Sequence, residues 1–287
     1  MNDATSDATN EATDGATDAK VLAMAARLAS VRGVRAVSLG GSRARGTHHP
    51  GSDWDLGVYY RGAVDVPALA ALAAEMTGSP VEVAGPGGWG PWVDGGAWLR
   101  VDGVPVDWIL RDLDRVERVW EECRQGRYEV GTQPGHPLGF WSPAYAGEVA
   151  LCRVLADPHG ELTALRTAAG SYPEPLRAAL TGAVWEADFS VAAARKVTRA
   201  GVRDPLFVSL CLSRAFGVLV QGLLAHHRVW CLNEKGSVAV AAALPDTPPR
   251  FADRVARALA APAPEAVAEA TALVRETAAV LETVRDG

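Results

Sequence analysis

The stretch LGGSRARGTHHPGSDWDLGVYY (residues 39–60) decides the fold. It continues an alternating run, VRAVSLG (34–40), that predicts a β-strand. Gly40 and Gly41 break the run, and DWDLGVYY (53–60) predicts a second strand. That strand opens with two acids, Asp53 and Asp55. Residues two apart on a strand share a face, so both carboxylates point one way while Trp54 and Leu56 point the other. The glycines let the backbone approach a ligand closely. Ser42 can donate a hydrogen bond, and Arg43 and Arg45 can meet phosphate charge.

Outward from this unit, AKVLAMAARLASV (19–31) carries a helical apolar stripe through Val21, Leu22, Ala25, Leu28 and Ala29. Downstream, VPALAALAAEM (66–76) predicts a helix and VEVA (81–84) a short strand. GPGGWGPWVDGG (85–96) reads as a loop. AWLRV and VPVDWILR are strand-like runs joined at Asp102-Gly103, a dipeptide that favours a tight hairpin. A helix over 113–124 follows, and CRVLADPHGEL (152–162) predicts a last strand closed by a turn. From Pro175 the pattern changes to helices over 175–201 and 204–230, the second opened by Asp204-Pro205, and then two more. The expected architecture is an α/β (α+β) domain with a mixed sheet over 19–172, followed by an α-helical bundle domain over 173–287.

Residues 1–18 contain Asp3, Asp7, Glu11, Asp14 and Asp18 with no base and no aromatic or branched aliphatic residue. Such a segment buries too little surface to offset its ordering entropy, so a disordered acidic tail is expected, with Met24 an alternative start. Removing those five acids from the net charge of −6 leaves about −1, so no global basic field for nucleic acid is present. No apolar run approaches the roughly 18–20 uninterrupted residues of a membrane span. The N-terminus lacks the basic-then-apolar pattern of a signal peptide, and a cytoplasmic location is expected. Cys123, Cys152, Cys211 and Cys231 are scattered without close spacing, as in a reduced chain.

A third acid, Asp107, interrupts the apolar strand between Val106 and Trp108. An acid in such a run needs a partner. If the two strands are neighbours, Asp53, Asp55 and Asp107 converge. At ~5 Å and an effective dielectric of about 20, each pair repels by roughly 3 kcal/mol. Oxygen-only ligands of this kind suit magnesium or manganese rather than zinc, and two such ions serve phosphoryl transfer. Taken singly, each part has a plainer reading: D-x-D as a solvated turn, G-G-S-R as a turn, Asp107 paired with Arg111.

Gly41-Ser42, then Asp53-Trp54-Asp55, then a hydrophobic strand carrying Asp107, resembles the polymerase-β-type nucleotidyltransferase superfamily. GSRARGTHHPGSDWDLGVYY is similar to the minimal members, which include the aminoglycoside-type antibiotic nucleotidyltransferases. The resemblance covers roughly 34–110. It implies that Asp53 and Asp55 hold the metals, that Asp107 completes the catalytic triad, and that Gly41, Ser42, Arg43 and Arg45 hold the β/γ-phosphates. It implies attack of an acceptor hydroxyl on the α-phosphorus of a nucleoside triphosphate, ATP foremost, with release of pyrophosphate. Magnesium, as two ions, is the implied cofactor, with manganese the alternative. The implied acceptor is a small hydroxylated molecule, an antibiotic among the candidates.

In the antibiotic-modifying relatives the helical domain adds a carboxylate base and a lysine. Glu186 in VWEADF and Lys235 in LNEKG are the matching candidates here, against plainer readings as a structural ion pair with Arg195 or Lys196 and a solvated loop residue. The Trp-rich segment (Trp89, Trp92, Trp98) is structural or a cleft wall. Two other functions fit the same motif: AMP transfer to a protein, as in antitoxin-type relatives, and a nucleotide-binding regulator without catalysis.

Overall fold

The computed structural model describes residues 19–49 and 51–282. The acidic segment 1–18 lies outside the described residues. The described chain divides into two compact units, 19–118 with 148–170 and 119–147 with 171–282. The sequence pattern predicts one uninterrupted boundary, at 172. Residues 119–147 instead cluster with the C-terminal helices, because they carry a hairpin whose Leu138 packs against Gly217.

Unit one is built on a five-stranded mixed sheet. Its strands are β1 (Val34–Leu39), β2 (Trp54–Tyr60), β3 (Gly95–Val101), β4 (Val104–Asp112) and β7 (Arg153–Ala156), ordered β3-β4-β2-β1-β7. β2 and β4 run parallel, and the other neighbours are antiparallel. Alternation sorts the faces: Trp54, Leu56, Val106, Trp108, Ala97 and Leu99 are buried, while Asp55, Asp107 and Trp98 point to the other side. Helix α1 (19–29) covers the buried face through Val21, Met24, Ala25 and Leu28, spaced as one helical stripe. Met24 takes the core place expected for Leu22, which is exposed. Helix α3 (Val66–Thr77) joins it, capped by the Asp65 carboxylate accepting from Ala68 N–H and closed by left-handed Gly78.

The Asp102-Gly103 hairpin forms with both residues at positive φ, as a two-residue turn of this hand requires. The strand predicted over 81–84 does not form. Only Ala84 bridges, to Gly96, because Gly85-Pro86 ends the run before a ladder can extend. The Gly40-Gly41-Ser42-Arg43 loop winds into a single turn, α2 (Gly41–Ala44).

Arg111, at the far end of β4, is buried and does not pair with Asp107. Its Nε and Nη2 donate to Glu148 at 2.7 and 2.8 Å. Glu148→Gln removes the carboxylate charge that faces this buried guanidinium, and urea denaturation is expected to show a loss of about 3 kcal/mol. Arg111→Met should lose less, since the Glu148 side chain is 29% exposed and can be solvated.

In unit two, β5 (Val130–Gln133) and β6 (His136–Trp141) form a hairpin that is not among the elements expected from the sequence. The helices predicted there form with one break: 175–201 divides into α7 (Glu174–Gly182) and α8 (Trp185–Arg199), at a glycine, the weakest ordinary helix former. α9 (Pro205–His226) is capped as expected, with Asp204 accepting from Phe207 N–H. By length and composition this helix could cross a membrane, although Ser209, Arg214 and Gln221 interrupt its apolar run. It lies at the centre of unit two, packed by α7, α8 and α12 (Ala263–Glu282), with buried residues from Val208 to Ala225.

Candidate active site

The site is built where β1 hands the chain to β2. Gly40 N–H donates to the Asp55 carbonyl at 2.7 Å and ties the loop to the acid-bearing strand. Gly41 follows at φ +61°, a left-handed conformation in which a side chain is strained. A Cβ there would sit 2.8 Å from Asp55 Cγ and collide with Oδ2. The Asp55 carboxylate therefore lies directly against the glycine backbone. Glycine is required at 41 twice over, by conformation and by contact.

Asp55 pairs in register with Asp107 across the parallel β2–β4 ladder. Neighbouring strands lie about 4.8 Å apart, so two carboxylates share one face at the repulsive distance inferred from the sequence. Asp53 precedes β2 and is exposed, held outside the strand by the turn in which Ser52 N–H donates to the His49 carbonyl. Its charge still reaches Asp107. Burial first, then the negative charges of Asp55 and Asp53, push the Asp107 carboxyl up to about 6.

That shift has a consequence for stability. Asp107 is an ordinary carboxyl near 3.8 when unfolded and holds its proton to about 6 when folded. Between those values the folded chain keeps a proton that the unfolded chain has shed, so this group's contribution to stability falls as pH rises from about 4 to 6. Asp107→Asn is therefore expected to raise Tm at pH 7.5 and to leave it unchanged near pH 3.5. Water reaching the half-buried carboxylate limits the gain to about 1–2 kcal/mol. Differential scanning calorimetry at the two pH values checks it.

Among the described residues no three His, Cys, Asp or Glu side chains are gathered tightly enough to hold a metal ion as they stand. The donor chemistry nonetheless fits a hard cation. Two carboxylates face each other in register with oxygen donors only, and their repulsion is relieved by positive charge.

The loop side chains divide. Arg43 lies with its guanidinium 4.3 Å from the Trp54 ring centre and donates from Nε to the Ser52 carbonyl at 3.1 Å, bracing the loop against the strand. Ser42 is half-buried on α2, and Arg45 is exposed just beyond it. Glu186 and Lys235 belong to unit two. Glu186 accepts from Arg214 Nη2 at 2.9 Å, and its partner is neither Arg195 nor Lys196. Arg195 bonds Thr271 instead. Lys235 is exposed, beside a Glu234 that accepts from His136 and from Leu138 N–H.

One neighbour of the acids was named in the sequence without a place. Trp98 pairs directly with Asp107 across the β3–β4 hairpin. The signal was available: a two-residue turn at 102–103 sets the pairing outward to that position.

These features lie in a recognised domain. Residues 24–132 match the family model described as nucleotidyltransferase domain. Among solved structures, a nucleotidyltransferase-like protein from Exiguobacterium sibiricum 255-15 is similar at 11% identity and a TM-score of 0.42, covering 88% of this chain and 70% of that one. No curated protein matches the chain.

Proposed function

We propose that this chain transfers a nucleoside monophosphate from a nucleoside triphosphate, ATP foremost, to a hydroxyl of a small-molecule acceptor. The observation that carries the reading is the in-register pair Asp55–Asp107 beside the Gly41 turn, with Asp107 raised to about 6. In this reading Asp55 and Asp107, with Asp53 closing from the loop, hold magnesium, or manganese in its place. When bound, such ions neutralise charge at the reacting phosphate and make the attacking oxygen more acidic.

The chain's own residues supply the rest. Gly41 presents bare backbone, while the Ser42 hydroxyl and the Arg45 guanidinium meet the β/γ-phosphates. The acceptor oxygen bonds to the α-phosphorus as the bond from that phosphorus to the β-phosphate oxygen breaks, and pyrophosphate leaves. The acceptor's proton passes to an Asp107 carboxylate oxygen, which shares the face of Asp55. Glu186, engaged by Arg214, is the weaker candidate for that role.

The experiment is pyrophosphate release with each NTP, Mg²⁺ and a panel of hydroxylated acceptors that includes antibiotics. Pyrophosphate formed only with an acceptor present supports the reading. Radioactive AMP appearing on a protein in lysate, with no small acceptor modified, replaces it with a protein AMP-transferase. ATP binding without turnover on any acceptor replaces it with a regulator.

A further inference from the structure

The row of residues across the sheet does not end at Asp107. Asp55, Asp107 and Trp98 are successive register partners on β2, β4 and β3, and all three face away from the core. Trp98 is 67% exposed, an unusual state for the largest apolar side chain on a sheet face. It is nonetheless held in place. Its ring stacks on Trp89 with centroids 4.3 Å apart and planes 15° from parallel.

Trp89 is positioned in turn. Gly96 leaves the room for it, since a Cβ there would stand 2.9 Å from Trp89 Cη2. Trp89 N–H donates to the Asp94 carbonyl at 3.0 Å. The buried Asp94 carboxylate accepts from Gly87 N–H at 2.9 Å and from the Tyr60 hydroxyl at 2.5 Å. The loop over 85–94 is thus pinned to the end of β2, and it supports an aromatic plane beside the acids.

We propose that Trp98, backed by Trp89, is the acceptor platform: it stacks the flat face of a ring that bears the hydroxyl and carries no negative charge. The inference rests on the nucleotidyl-transfer reading for the direction of the reaction. The Gly41 turn lies on the β1 side of Asp55 and Trp98 on the opposite side of Asp107. In-line displacement puts the attacking oxygen opposite the departing pyrophosphate. With the triphosphate on the glycine turn, the attacking oxygen comes from the Trp98 side. Strand spacing of about 4.8 Å puts a hydroxyl at Asp107 within one small ring of Trp98. A rigid aromatic face recognises planar rings and the C–H face of sugars, and rejects flexible chains that must be ordered on binding. The acids beside it repel anionic acceptors.

Phenyl β-D-glucoside and mannitol serve as ring and open-chain probes in saturation-transfer NMR with the full chain and Mg²⁺. Transfer to phenyl β-D-glucoside well above that to mannitol is expected. It should fall at least fivefold in Trp98→Ala and be retained in Trp98→Phe, with circular dichroism melts reporting the fold of each variant. Affinity for Mg²⁺ and a non-hydrolysable ATP should move less than twofold in Trp98→Ala. Failure of the wild type to bind the glucoside, or equal binding by Trp98→Ala, overturns the platform. A large loss of nucleotide affinity in Trp98→Ala, with glucoside binding intact, makes it a nucleobase platform and also overturns the proposal. Trp98-dependent glucoside binding without pyrophosphate release from any NTP leaves the ring subsite standing and counts against nucleotidyl transfer alone.

Discussion

Asp55→Asn is expected to lower pyrophosphate release by about a thousandfold or more, and Asp107→Asn to match it while melting higher than wild type at pH 7.5. Each substitution keeps the shape and one carbonyl oxygen of the acid and removes its charge. In the native chain the two carboxylates oppose each other in register on one face, and Asp107 is driven up to about 6. Burial of the Asp107 charge, and then that repulsion, destabilise the fold, so removing the charge gains stability. If the repelling pair exists to gather positive charge and accept a proton, the same removal ends the chemistry. Opposite signs in Tm and rate are the signature of a strained functional pair, whereas a structural pair loses both together. Asp102→Asn is the control, because Asp102 is an exposed turn residue at φ +50°, a conformation that asparagine also tolerates. It should leave the rate unchanged. Either site variant keeping a tenth of wild-type activity would refute the assignment.

How much of this was legible in the sequence depends on the range over which each pairing is fixed. The Asp102-Gly103 turn sets its register locally, and from it the placement of Trp98 opposite Asp107 follows by counting outward. The parallel pairing of Asp55 with Asp107 does not follow that way. The connection from β2 to β4 runs through α3 and β3, and nothing local selects the register, so the convergence of the acids rested on the supposition that their strands are neighbours. Asp53 shows the limit of alternation. It shares its parity with Asp55, yet the 49–52 turn keeps it outside the ladder. In unit two, Asp204-Pro205 announced a helix start, because a cap is a property of adjacent residues. The partner of Glu186 was not legible. Arg214 is 28 positions away on another helix, and only tertiary packing selects it over Arg195 and Lys196.

Gly41→Ala is expected to lower activity about a hundredfold or more and stability by about 1–3 kcal/mol, by two causes that a second glycine separates. Gly41 and Gly46 both sit in the left-handed region, at φ +61° and +69°. A methyl group at Gly46 meets nothing within 4 Å, so Gly46→Ala bears the backbone strain alone. At Gly41 the same methyl group also runs into the Asp55 carboxylate, and either the turn or the acid must move. Movement of either spoils the arrangement that the proposed reaction needs, because the turn that would hold the phosphates and the acid that would hold the cation are set by one contact. Gly46→Ala should therefore lose about 1 kcal/mol by urea denaturation and little activity. The difference between the two variants in rate, measured at saturating ATP and Mg²⁺, isolates the contact from the strain. Equal rates for Gly41→Ala and Gly46→Ala would mean that the closeness of Gly41 to Asp55 serves the fold and plays no part in catalysis.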